Sequence, residues 1–84
     1  MAFEEADLFL KAFGERIALL RKSKNLSYRK LAQRCNVDYS DISKIEKGLI
    51  KIQLPTILEI ARGLEVHPKD LFNFNFPMDH YIKE

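Results

Sequence analysis

The sequence predicts an all-α fold, a single domain of five short helices. Three observations predict it. Apolar residues recur every three or four positions through most of the chain, Asn25, Asn36 and Gly48 interrupt that pattern at intervals suited to short helices, and no two alternating segments are joined by a hairpin turn. At 84 residues the chain can bury one core but not two, so residues 1–84 are read as one domain with its core at 9–72 and a tail at 73–84.

The first helix begins at Asp7 or earlier and runs to about Lys24, with Phe9, Phe13, Ile17 and Leu20 on its buried face. Its acids come first and its bases last, which suits the helix dipole, and Asn25 supplies a left-handed stop. Ser27 offers an N-cap for a second helix to about Cys35, burying Leu31, Ala32 and Cys35. Asn36 can take the positive φ of a tight turn, and Val37 follows it into the core. Asp38 is expected to cap a third helix that ends at about Lys47, before Gly48. Ile42 and Ile45 are the strongly apolar residues of that helix, so Tyr39, Ser40, Asp41, Ser43, Lys44 and Lys47 are left largely outside. Pro55 lies in the first turn of a fourth helix, which Ile57, Leu58, Ile60, Ala61 and Leu64 should bury, with Gly63 marking a close contact. Pro68 opens a short fifth helix carrying Leu71 and Phe72, with His67 as its cap.

Composition narrows the function. The single cysteine, Cys35, cannot form an internal disulfide, and neither His67 nor His80 has metal-ligand spacing, so no metal and no cofactor is expected. Glu4, Glu5 and Asp7 stand where a signal peptide would carry positive charge, and no apolar run approaches the roughly 20 residues of a membrane span. A cytoplasmic protein without membrane contact is expected. No residues form a catalytic constellation, so the chain reads as a binding protein and not an enzyme.

The charge is small overall, at +2, but unevenly placed. From Arg16 to Lys51 ten bases face three acids, giving that segment +7 and the remainder −5. A positive face of this kind suits a polyanion. Two short helices joined by a tight turn, the second displaying polar side chains, fit the DNA major groove, which is roughly 12 Å wide and admits one helix. Ser40 and Lys44, four residues apart, and Ser40 and Ser43, three apart, share the face opposite Ile42 and Ile45.

The segment LSYRKLAQRCNVDYSDISKIEKG, from Leu26 to Gly48, resembles the helix-turn-helix core of the phage repressor and Cro (XRE) family. The likeness extends through FGERIALLRKSKN before it and TILEIARGLEVHPKDLF after it. It implies a five-helix lambda-repressor-like domain with the helix-turn-helix at helices 2 and 3, which binds double-stranded DNA as a homodimeric transcription regulator, a repressor or autoregulator on a palindromic operator. Carried over by position, Tyr39, Ser40 and Lys44 read bases, with Ser43 as a secondary candidate. The phosphate-binding set is Ser27, Tyr28, Lys47 and Lys51, joined by Arg29 on grounds of charge and exposure alone. Tyr28 stands where the family often has glutamine. Arg21 and Glu46 occupy positions that form an ion pair in several relatives.

Departures from the pattern leave a second reading open, that of an antitoxin or other protein-binding partner on the same fold. Asp38 and Asp41 put negative charge at the leading end of the reading helix, where it suits the dipole but repels phosphate. Leu49, Ile50 and Ile52 make apolar a loop that relatives often make polar. Cys35 reads as a packed small hydrophobe. Phe72, Phe74 and Phe76 alternate with Asn73 and Asn75, so the rings share one side of an extended tail and must be covered, within the protomer or across a dimer axis.

Overall fold

The structure, a computed structural model, describes residues 3–80 and 82. Four α-helices, α1 (Phe3–Ser23), α2 (Tyr28–Gln33), α3 (Tyr39–Glu46) and α4 (Leu54–Leu64), are followed by 3-10 turns at Pro68–Phe72 and Met78–His80. There is no strand among the described residues. The expected fifth helix is therefore a 3-10 turn. Its amides at Asp70 and Asn73 bond back three residues, to His67 and Asp70, in the i to i−3 pattern of a 3-10 helix, and the segment ends after five residues.

Three of the four helices end in the same way. Asn25, Gly48 and Glu65 adopt left-handed φ values of 57°, 71° and 59°. After each, the next amide reaches back across the last turn: Leu26 to the Arg21 carbonyl, Leu49 to Lys44 and Val66 to Ala61, at 2.9–3.1 Å. This double back-bonding consumes carbonyls that a helix end would leave unpaired. The stops at Asn25 and Gly48 fall where the sequence puts them. Glu65 gives no such signal, because its side chain carries a steric cost in that conformation.

The turn between α2 and α3 is made differently from expectation. Asn36 does not take positive φ. Instead α2 stops at Gln33, two residues earlier than expected, and Arg34 closes its last turn with a bond to the Leu31 carbonyl at 2.9 Å. The freed Asn36 amide donates to the Glu59 carboxylate of α4 at 2.8 Å. The other donor on that carboxylate is Arg62, at 2.6 Å. A side chain from another element thus does the work expected of a left-handed residue.

The core draws on all four helices and the first 3-10 turn: Phe13 and Ile17 of α1, Leu31 of α2, Ile42 and Ile45 of α3, Ile60, Ala61 and Leu64 of α4, and Leu71 beyond. Leu58, expected to be buried, is exposed. Ile57, Ile60, Ala61 and Leu64 already complete the inward stripe, and Leu58 falls outside it. Gly63 lets α4 approach α2, since a Cβ there would lie 2.9 Å from Leu31 Cδ1 and 3.1 Å from Cys35 Cβ. Gly14 is more demanding. A Cβ on it would press into the carbonyl oxygens of Ile45 and Glu46, which are backbone atoms at the end of α3. Phe72 lies against Phe13, and Phe74 and Phe76 both pack on Phe9, with centroids 5.0, 5.6 and 5.2 Å apart. The alternating rings of the tail are covered, at least in part, by the subunit's own first helix.

Two outcomes follow. Gly14→Ala should destabilise the domain by about 1–3 kcal/mol in urea unfolding, although alanine favours helix by about 1 kcal/mol, because α3 must move outward. The bonds from Arg62 and the Asn36 amide hold the Glu59 carboxyl below the usual range. A depressed acid stabilises above its unfolded pKa and ceases to do so as pH falls through its folded one. In an NMR titration, the Asn36 amide should therefore shift with a midpoint below that of an ordinary glutamate, and Glu59→Gln should abolish the transition.

Candidate nucleic-acid interface

The third helix is divided sharply between two environments. Ile42 and Ile45 are 0% and 1% exposed, whereas Tyr39, Ser40, Asp41, Lys44 and Lys47 face solvent and Ser43 is half-buried. Burying two isoleucines contributes about 1.5–3 kcal/mol each, which is what holds so short a helix against the core. Its polar side then projects unobstructed. Asp38 occupies the N-cap position with extended backbone, but its carboxylate caps nothing; it accepts from the Ser40 hydroxyl at 3.4 Å. Local side-chain bonding has displaced the expected cap.

Orientation of α3 is set from behind. Arg21 Nε and Nη2 donate to the two oxygens of Glu46 at 2.6 and 3.0 Å, and Nη1 donates to the Leu26 carbonyl at 2.6 Å. Both residues are 7% exposed. The hydrogen bonds that Arg21 donates to Glu46 raise the guanidinium pKa, against the opposing effect of burial. The Tyr28 ring lies 4.4 Å beneath the same guanidinium. One arginine therefore joins the end of α1, the start of α2 and the end of α3. The expected ion pair is present, and Tyr28 proves to be part of its setting as well as a surface residue.

The remaining expected residues fall around α3. Ser27 caps α2, its hydroxyl accepting from the Lys30 amide at 3.1 Å. Lys47 and Lys51 are exposed just beyond the far end of α3, and Arg29 is exposed at the near end with its guanidinium 4.5 Å from the centre of the Tyr39 ring. Ile50 and Ile52 turn inward onto the core, while Leu49 remains exposed. Cys35 donates to the Leu31 carbonyl at 3.3 Å, and burial pushes its thiol pKa up, which disfavours the reactive thiolate. Among the described residues, no group of His, Cys, Asp and Glu could hold a metal, and no helix is long and apolar enough to cross a membrane.

Sequence reasoning missed two positions that shape this surface. Gly14 was signalled by a glycine inside an amphipathic helix. Glu59 carried no signal, since its partner is a backbone amide 23 residues away.

Comparison with known proteins settles the family. The helix-turn-helix family HTH_3 matches residues 17–71. The chain belongs to this helix-turn-helix family. It is a DNA-binding transcription regulator of the XRE type and not an enzyme. The chain is similar to control protein C.BamHI of Bacillus amyloliquefaciens, 41% identical over 63 residues that cover 74% of this chain and 78% of the relative. Among solved structures, the restriction-modification controller protein C.AhdI of Aeromonas hydrophila superposes with a TM-score of 0.73 at 36% identity, covering 75% of this chain and 96% of that one. The controller protein C.Esp1396I, seen as a tetramer in complex with its natural 35 base-pair operator, gives 0.71 at 28% identity, with 76% and 84% covered. For this helix-turn-helix domain, α2 and α3 are the motif and α1, α4 and the 3-10 turn its support.

Removing one partner of a buried pair strands the other, at about 3–5 kcal/mol. Glu46→Gln should cost close to that in chemical denaturation, and the double replacement Arg21→Met with Glu46→Leu should restore most of it.

Proposed function

We propose that the protein is a controller-type regulator that binds a palindromic operator as a homodimer and governs restriction-modification genes. The observation that carries this reading is the freedom of the polar side of α3, with Ser40 and Lys44 exposed while Ile42 and Ile45 are fully docked. Tyr39, Ser40, Ser43 and Lys44 then meet base edges, and Ser27, Tyr28, Arg29, Lys47 and Lys51 grip the flanking phosphates. Lys44 is suited to donate to guanine O6 or N7. The likeness to C.BamHI and C.AhdI supports the restriction-modification context.

A dimer follows from energetics. One short helix offers too few base contacts for a specific site, whereas two copies about 34 Å apart read both halves of a palindrome on one side of the duplex. Apolar surface to join them is available. Beside the tail, Ala6, Phe9, Leu10, Lys51, Phe76 and Met78 line a mainly apolar cleft of about 390 Å³, and Leu8 nearby on α1 is exposed. Phe76 and Met78 support a share in dimerisation for the tail, of whose residues 73–84 the positions 81, 83 and 84 lie outside the described residues.

Selection from random duplex DNA should return two inverted half-sites about one helical turn apart, and a flat profile at moderate salt would refute the proposal. Lys44→Ala should relax the preference at one base pair per half-site by about 1–3 kcal/mol. Lys51→Ala should instead weaken binding to every sequence and reduce the salt slope by about one per subunit.

A further inference from the structure

Arg29 was assigned to the phosphate grip for its charge and exposure, but its position implies more. It sits at the second residue of α2, and its guanidinium lies over the ring of Tyr39, the first residue of α3, at 4.5 Å. The two residues bridge the outer side of the motif as Arg21 and Tyr28 bridge its inner side. The pair forms part of the wall of a shallow groove between the helices, with Ala32, Gln33 and Asp38 as the rest of its lining. Asp38 adds negative charge to that groove, favouring a cation there.

Building on the operator-binding reading above, we propose that Arg29 is a positioning residue for base recognition: stacked on Tyr39, it fixes the phenol at the leading end of α3 and so sets the preference at the base pair that Tyr39 meets. Tyr39 is 43% exposed and heads its helix, so little else confines its ring before DNA arrives. An unconfined ring loses rotamer freedom on binding, and that loss weakens discrimination. A guanidinium that stacks on a ring keeps its N–H edge available to a phosphate, so one side chain can both grip and orient. Lysine keeps the charge but cannot form the planar stack.

The test uses a panel of duplexes in which each base pair of the selected operator is replaced in turn. Each affinity is expressed relative to that of a non-operator duplex measured with the same protein, so a uniform change in phosphate grip cancels. In Arg29→Lys the preference at one base pair per half-site should fall about two- to fivefold, the weight of an exposed cation–π contact, while the other positions keep theirs. In a Tyr39→Leu background the same replacement should change nothing at that base pair. Arg29→Gln should lose the preference likewise. An unaltered profile, a change spread evenly over all positions, or an undiminished effect in Tyr39→Leu would each overturn the proposal. If the unmodified protein shows no sequence preference, the operator reading itself fails; if it does and Arg29→Lys retains the whole profile, the positioning role alone fails.

Discussion

The bidentate pair between Arg21 and Glu46 is the constraint from which the functional surface follows. Glu46 is the last residue of α3, and Arg21 lies in the final turn of α1, so the direction of α3 is fixed by a contact on its buried end. Two charges withdrawn from water contribute little net stability, because desolvation offsets most of their attraction. What they supply is geometric: a planar fork meets two carboxylate oxygens in one arrangement, with the third donor spent on the Leu26 carbonyl. The isoleucines behind α3 give it adhesion, and the ion pair gives it a heading.

Around that contact the described residues leave most of the polar side of α3 open. Gly14 allows the end of α3 to rest on α1 at backbone distance, and Gly63 allows α4 to close on α2. Glu59 holds the connecting turn by its Asn36 amide, and so couples the motif to the helix behind it. These supports lie on the far side from Lys44 and Ser40, which leaves the polar side of α3 to solvent. The aromatic tail packs away from the motif, on Phe9 and Phe13. Lys51 borders both regions, exposed beyond the end of α3 and lining the cleft with Phe76 and Met78.

The acidic start of α3, which argued against phosphate contact, has a local role. Asp38 accepts from the Ser40 hydroxyl and shares a groove with Arg29 and Tyr39. Asp41 remains exposed in the first turn, where it complements the helix dipole. The interface is consequently less uniformly cationic than the +7 of its sequence segment suggests. Discrimination by placed groups gains weight relative to bulk attraction.

By itself the sequence determined the helix order, the two-sided character of α3, the stops at Asn25 and Gly48, and, through resemblance, the pairing of Arg21 with Glu46. These are written in residue periodicity, in local backbone preference and in a motif that spans the chain. Tertiary structure alone decided where the short connections obtain their hydrogen bonds and which side chains stack. The turn at Asn36 depends on a carboxylate from α4, the last helix is a five-residue 3-10 turn, Leu58 falls outside a stripe already filled, and Tyr39 finds Arg29 across the motif. The Asn36 and Tyr39 contacts join residues of different elements through geometry that arises only once the helices are packed, so no local pattern could have announced them.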